Sequence, residues 1–190
     1  MTKPKRGKAS VYYVDNKKFY EEMKKYIDNC RECEEQGDDY PRIPNYIGEC
    51  FYKISTRLAT KPNFASYSYK EEMIGDAIEN CIHYVKSFNP DKYMNPFAYF
   101  TQVAWNSFIH RINKEKRHQY IKYKSFENIV VNNQNFISQV GDSGHIIPAE
   151  FHENTQKFIS SFEENLEKAK KKKEEKREEK KALEKFIEED

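Results

Sequence analysis

The sequence predicts an all-α protein: a compact bundle of about four helices, followed by a flexible linker and a charged C-terminal helix or tail. Apolar residues recur at helical spacing through the first 120 residues, and the alternation typical of strands is nearly absent. Hydrophobic residues form only 37% of the chain and charged residues 34%, so a core cannot run its whole length. The predicted parts are a flexible basic arm (1–14), a helical domain (15–124), a linker (125–152), a charged helix or spacer (153–181) and a hydrophobic-acidic C-terminal epitope (182–190).

The first two predicted helices each show one apolar stripe. Asp15 or Asn16 can cap the first helix. Its stripe comprises Phe19, Met23, Tyr26, Ile27, Cys30 and Cys33. Two prolines make 37–45 a loop, and the second helix follows over about 46–60. The stripe of this second helix comprises Ile47, Cys50, Phe51, Ile54 and Leu58.

The third and fourth helices are predicted from their capping residues and periodicity. After a loop at 61–67, Ser68 and Glu71 fit a capping box that starts the third helix. Its apolar face comprises Met73, Ile74, Ala77, Ile78, Cys81 and Ile82. Asn95 can cap the fourth helix with Pro96 in its first turn, and this helix is predicted to run to about His118.

The fourth helix is apolar on one face and carries a different, mixed surface opposite. At about 100° per residue, the core-facing residues are Phe97, Ala104, Trp105, Phe108 and Ile112. The other face collects Tyr99, Val103, Asn106, Ser107, His110 and Lys114, with Phe100 and Arg111 at its edge. Lys116, Arg117, Lys122 and Lys124 extend the charge, and 96–124 carries six Lys/Arg against one acid, a net charge of +5. Stacking surface, hydrogen-bonding groups and positive charge together favour binding to unstacked bases and phosphates.

The third helix has the opposite sign, with a net charge of −3 from Tyr69 to Ile82. Glu72, Asp76 and Glu79 follow one another at i, i+4 and i+7, so they share one side. Like charges at this spacing cost a few tenths of a kcal/mol per pair, which a cationic partner would offset. A docking face and an ordinary solvated face are both open from charge alone.

The C-terminal region is dominated by charge until its last residues. The mixed-sign run from Lys168 to Lys181 can form an exposed helix with pairs such as Glu174 with Arg177, and such runs usually serve as solvated spacers. Apolar residues then return immediately before an acidic end, and they are Leu183, Phe186 and Ile187. Clustered apolar side chains favour an interaction epitope, and a frayed helix end is the alternative.

No pattern for catalysis, metal binding or membrane insertion stands out. Gly-rich phosphate loops and nucleophile motifs are missing, so we expect neither an enzyme nor a small-molecule substrate or cofactor. Cys30 and Cys33 have zinc or redox spacing, but nothing completes the site, and reduced core thiols are the favoured interpretation. No apolar run is long enough to span a membrane.

Three segments together resemble region two of bacterial sigma factors, over about Phe64 to Lys122. They are "YKEEMIGDAIE", "FNPDKYMNPFAYFTQVAWNSF" and "RINKEKR", and they are most similar to the late-transcription sigma factors of T-even-type bacteriophages. The resemblance implies binding to host core RNA polymerase and initiation at an AT-rich −10-like promoter element. It also implies a coactivator, a sliding clamp bound by the C-terminal epitope, and a location in the cytoplasm of the infected bacterial host.

The resemblance also implies roles for individual residues. Glu72 and Asp76 match acidic positions that dock on the coiled-coil of the polymerase clamp, and Ile82 matches a neighbouring apolar contact. The positions that hold or read the upstream −10 bases are matched by Phe100, Val103, Ala104, Ser107 and His110. Arg111 and Lys114 would then contact phosphates.

Two departures from the family weaken the implied strand-opening wedge. Cellular factors have adjacent tryptophans where this chain has Val103 and Ala104, and a tyrosine where it has Phe100. A helix-turn-helix that reads a −35 element is also not predicted after residue 125. The alternative function is a DNA-binding adaptor that recruits a partner through its acidic helix without being a sigma factor.

Overall fold

The protein is all-α, as the computed structural model shows for the residues it describes, 13–132 and 149–188. The helices are α1 (Asn16–Gln36), α2 (Asn45–Ala59), α3 (Pro62–Ala65), α4 (Lys70–His83), a 3-10 turn (Val85–Ser87), α5 (Pro96–Asn132) and α6 (Ala149–Glu188). The chain divides into two compact units at Asn113 and Lys114, so α5 contributes to both. The first unit therefore ends earlier than the predicted boundary at 124.

Helix α1 begins and ends at residues suited to those positions. The Asp15 carboxylate accepts hydrogen bonds from the backbone N–H groups of Lys17 and Lys18, at 3.0 and 3.2 Å. Gly37 ends the helix with φ of 74°, a left-handed conformation that glycine adopts without a steric penalty. Val14 is buried, so the end of the predicted arm belongs to the folded unit, and 1–12 lie outside the described residues.

Aromatic side chains form the centre of the first unit. Helix α2 packs against both α1 and α4. Phe51 lies 4.5 Å from Phe100 and 6.1 Å from Phe19, measured between ring centroids, and all three side chains are fully buried. Pairs of rings at such distances contribute about 0.5–1.5 kcal/mol beyond their buried area. The cluster joins α1, α2 and α5 into one core.

The predicted loop at 61–67 contains the short helix α3, which the sequence pattern did not predict. Its Phe64 is buried and packs edge-to-face on Trp105 at 4.8 Å and on Phe108 at 5.0 Å. Trp105 is half-buried against the core, as predicted for a packing residue. Phe64 therefore extends the core of the first unit from a segment without helical periodicity.

The starts of α4 and α5 differ in how closely they follow the capping predictions. Helix α4 begins at Lys70 with Tyr69 at its N-cap and no side-chain cap hydrogen bond, so the predicted capping box does not form. Helix α5 has the predicted cap, because the Asn95 side chain accepts from the N–H of Ala98 at 3.0 Å. The Asn16 side chain adds an acceptor for the N–H of Phe97 at 3.2 Å and ties α1 to the start of α5.

The second unit contains a packed pair of helices, the end of α5 and the start of α6, which the sequence did not predict. Tyr120 stacks on Phe162 with centroids 4.6 Å apart, and Tyr123 contacts Phe158 edge-to-face at 5.4 Å. The Tyr120 hydroxyl donates to a Glu163 carboxylate oxygen at 2.8 Å. The predicted linker at 125–152 is wrong at both ends, since α5 continues to 132 and α6 begins at 149. The predicted linker residues 133–148 lie outside the described residues.

Helix α6 covers the predicted charged segment and continues to Glu188. Among its described side chains, three ion pairs form, joining Lys157 to Glu153, Lys168 to Glu164 and Lys180 to Glu184. The expected pair between Glu174 and Arg177 is not formed, although both residues are described. Among the described residues, no helix is long and apolar enough to cross a membrane.

Candidate functional site

An open groove of about 510 Å³ lies beside α5 and the end of α4. Five of the residues predicted to bind DNA line it, together with two that were not predicted. The lining residues are Asn80, Tyr84, Tyr99, Val103, Asn106, Ser107 and His110. Residues of the predicted helical face therefore line one accessible concave surface, which we call the α4–α5 groove.

The floor of the groove is polar and fixed by a hydrogen bond between the two helices. The Asn80 side-chain amide donates to Ser107 Oγ at 3.0 Å and to the carbonyl oxygen of Asp76 at 2.8 Å. Ser107 is buried, so this bond sets the position of its hydroxyl. Asn106 accepts from Gln102 through its Oδ1 at 2.9 Å, which leaves its amide NH₂ as a donor on an exposed side chain.

Tyrosine rings form the apolar wall of the groove. Tyr99 is half-buried and packs edge-to-face on Phe88 at 5.3 Å, while Tyr84 is 45% exposed. Burial raises the pKa of the Tyr99 hydroxyl above its ordinary value, so this group is a neutral phenol at physiological pH. With Val103 half-buried and His110 exposed, the groove offers aromatic and apolar surface beside donors and acceptors.

Phe100 does not belong to this surface, and the expectation that it stacks on a base is wrong. Its side chain is fully buried, and its ring lies 4.5 Å from that of Phe51 and 5.8 Å from that of Phe19. The reason is geometric, because core side chains surround a wider arc of α5 than the apolar face that the sequence predicts. Tyr99, the preceding residue, provides the aromatic surface that lines the groove.

Asp76 and Arg111 pair with each other, whereas the sequence pattern assigned them to separate macromolecular partners. The Arg111 guanidinium donates to the Asp76 carboxylate at 3.2 Å, and only 18% of the arginine side chain and 34% of the aspartate side chain are exposed. This pair neutralises the central acidic residue of α4 and the nearest basic residue of α5. We therefore assign neither residue to a macromolecular partner.

The other predicted docking residues do share an accessible face of α4. Glu72, Glu79 and Ile82 are exposed, and Ile82 retains 47% exposure, which is high for a large apolar side chain. Gly75 lies between them, and a Cβ built there would meet no atom within 4 Å. Within the described ranges, neither glutamate forms an ion pair. We call Glu72, Gly75, Glu79 and Ile82 the acidic face.

The helix dipole explains only part of the acidic face. Acids in the first turn of a helix are stabilised by about 0.3–1 kcal/mol, which accounts for Glu71 and Glu72. Glu79 lies in the C-terminal half of α4, where the dipole does not favour a negative charge. The dipole therefore does not account for Glu79, which lies near the exposed Ile82.

The predicted phosphate-binding residues Lys114, Lys116 and Arg117 belong to the second unit and are exposed on α5. Lys124 is instead held by two carboxylates, with Nζ 2.9 Å from Glu127 and 3.5 Å from Glu163. The other basic residues in this part of α5, Lys114, Lys116, Arg117 and Lys122, are exposed.

The cysteines behave as core thiols. All four are free, with Cys30, Cys50 and Cys81 buried and Cys33 half-buried. Burial raises the pKa of Cys81 to about 12 and also raises that of Cys30, which disfavours the reactive thiolate. Among the described residues, no three His, Cys, Asp or Glu side chains come together as a metal site.

The C-terminal epitope is the least described part of the predicted site. The backbone of Leu183, Phe186 and Ile187 belongs to α6. The side chains of these three residues, and residues 189–190, lie outside the described part of the chain.

Sequence reasoning missed Asn80 and Tyr84 because both lie on the acidic helix or just after it, where only charge and apolar periodicity were considered. Asn80 is a polar residue beside Ala77 and Cys81, which are buried, and this contrast is the signal in the sequence that points to it.

No protein-family model matches this chain, and no curated protein shows significant similarity to it.

Proposed function

We propose that this protein is a sigma-like initiation factor that binds bacterial core RNA polymerase through the acidic face and holds an unstacked promoter base in the α4–α5 groove. One observation carries the proposal: the groove gathers five residues that were assigned to DNA from the sequence. The target element is AT-rich and −10-like, because such steps cost least to unstack.

The chemistry of the groove supports a base as its ligand. Every nucleobase has a π-face, and stacking on an aromatic side chain contributes about 1–3 kcal/mol per base. The tyrosine wall supplies this surface at Tyr84 and Tyr99. The Asn106 amide and the His110 imidazole then offer hydrogen bonds to a base edge, and exposed Lys114, Lys116 and Arg117 supply salt-dependent attraction to phosphates.

The acidic face supports a cationic protein partner. Glu72 and Glu79 are exposed, and Ile82 adds an apolar contact between charged neighbours. A surface of this kind suits a partner with lysine or arginine around an apolar contact, which the resemblance identifies as the coiled-coil of the polymerase clamp. We further propose that Leu183, Phe186 and Ile187 bind a sliding clamp and that a coactivator completes activation.

Binding to core RNA polymerase tests the proposal. We expect Glu72→Lys/Glu79→Lys to raise the Kd for core polymerase at least about tenfold, which corresponds to about 1.4 kcal/mol. Glu32→Lys/Glu35→Lys is the matched control, since it makes the same charge change at exposed positions of α1. Its Kd should stay within about twofold of wild type.

Two results would count against the assignment. Equal binding by the α4 variant and wild type would remove the acidic face as the docking surface. DNA binding without any binding of wild type to core polymerase would favour the alternative function, an adaptor that recruits another partner.

A further inference from the structure

The charged part of α6 separates its charges onto two faces. Five cations lie within about 140° of the helix circumference, and they are Lys172, Lys173, Lys176, Arg177 and Lys180. The opposite side carries Glu174, Glu175, Glu178 and Glu179. All nine side chains are exposed. We call the five cations the α6 basic stripe.

Ion pairs within the helix do not account for most of the α6 basic stripe. Opposite charges stand at i and i+4 elsewhere in the run, as at Lys170 with Glu174 and Lys171 with Glu175, whereas along the stripe Lys172 faces Lys176, and Lys176 faces Lys180. Lys180 pairs with Glu184 at 3.6 Å, but no ion pair in the described part of the chain involves the other four cations. Like charges at i and i+4 destabilise a helix by a few tenths of a kcal/mol per pair. An anionic partner would remove this cost.

We infer that the α6 basic stripe docks on the phosphate backbone of duplex DNA, independently of the α4–α5 groove. The stripe extends about 12 Å along the helix from Lys172 to Lys180. Over this length duplex DNA presents a phosphate charge about every 1.7 Å of its axis, so several cations can each release a condensed counterion. The stripe carries no large apolar residue, which distinguishes it from helices that insert into a membrane surface.

Binding of the full chain to a mixed-sequence 30-base-pair duplex tests the inference, with Kd measured across a salt series. We expect Lys172→Gln/Lys176→Gln/Lys180→Gln to raise the Kd about tenfold at low salt. The slope of log K against log salt should become shallower by about 2–3, since each lost phosphate contact removes about 0.9. Glutamine has a similar helix propensity and relieves the like-charge pairs, so helicity should be retained and is checked by circular dichroism.

The matched control is Lys170→Gln/Lys171→Gln/Lys181→Gln, which removes the same charge from positions about 120–140° around α6 from the centre of the three substituted lysines. Its Kd should rise no more than about twofold. Equal weakening by both triple variants, or no weakening by the first, would overturn the inference. Self-association of the chain would also overturn the inference if the first triple variant dissociated the oligomer without changing duplex binding. The partner of the stripe would then be the acidic side of a second copy.

The same assay separates this inference from the proposed function. A fully paired duplex offers no unstacked base, so Asn106→Ala/His110→Ala in the groove should leave its Kd unchanged. Loss of duplex binding in that groove variant, with the α6 triple variant unaffected, would contradict the inference and leave the groove as the DNA site.

Discussion

At the scale of single residues, Phe100 shows where a helical projection stops being informative. Its position lies between the predicted core face and the predicted DNA face of α5. A helical projection does not show how many neighbouring side chains pack around a helix. Here the rings of Phe19, Phe51 and Phe88 all contact the ring of Phe100. The ring is consequently buried, and the role of lining the groove falls to Tyr99.

Phe100→Ala should therefore act on stability. Truncating a fully buried phenylalanine costs about 3–5 kcal/mol, from lost apolar burial and from the cavity that remains. The free energy of unfolding, measured by denaturant titration, should fall by this amount. Tyr52→Ala is the control on α2, because Tyr52 is 58% exposed, and it should change the value by less than about 1 kcal/mol. A Phe100 variant as stable as wild type would place the ring outside the core.

At the scale of helices, the sequence predicts the regular elements of the first unit but not the packing of the second. The stripes of α1, α2 and α4 have a clear period, and capping residues mark the starts of α1 and α5. Helix α3 has only four residues, too few to show a period. The aromatic contacts between α5 and α6 join residues 25–42 positions apart, such as Phe126 with Phe151 and Tyr120 with Phe162. Local patterns carry no information about such pairs.

The packed helix pair of the second unit predicts a local effect for Ile159→Ala. Ile159 is only 4% exposed, and loss of a buried aliphatic side chain costs about 2–5 kcal/mol. Amide hydrogen exchange should accelerate in 120–128 and 151–163, with α1 unchanged as an internal reference. Ser160→Ala, at an exposed neighbouring position, should leave exchange unaffected. Unchanged exchange in the Ile159 variant would mean that this part of α6 is a solvated spacer.

At the scale of the whole molecule, the first unit carries two different surfaces on adjacent helices. The Asp76–Arg111 pair joins α4 to α5 and neutralises the charges between the surfaces. What remains is the acidic face on one side of α4 and the aromatic and amide-lined groove beside α5. The proposed function therefore depends on shape and hydrogen bonding in the groove more than on the opposite signs that the sequence displays.

The proposed function requires the α4–α5 groove to hold an unstacked promoter base, and the permanganate reactivity of thymines reports whether bases in the element are unstacked. With core polymerase and an AT-rich −10-like template, wild type should make thymines in that element reactive. Asn106→Ala/His110→Ala should reduce this reactivity at least about tenfold, as expected if two hydrogen bonds to a base edge, each contributing about 0.5–1.5 kcal/mol, are lost. The control variant Ile109→Ala/Asn113→Ala changes exposed positions of α5 that do not line the groove, and it should behave as wild type. Full reactivity with the groove variant, or no reactivity with wild type, would overturn the proposed function of the groove.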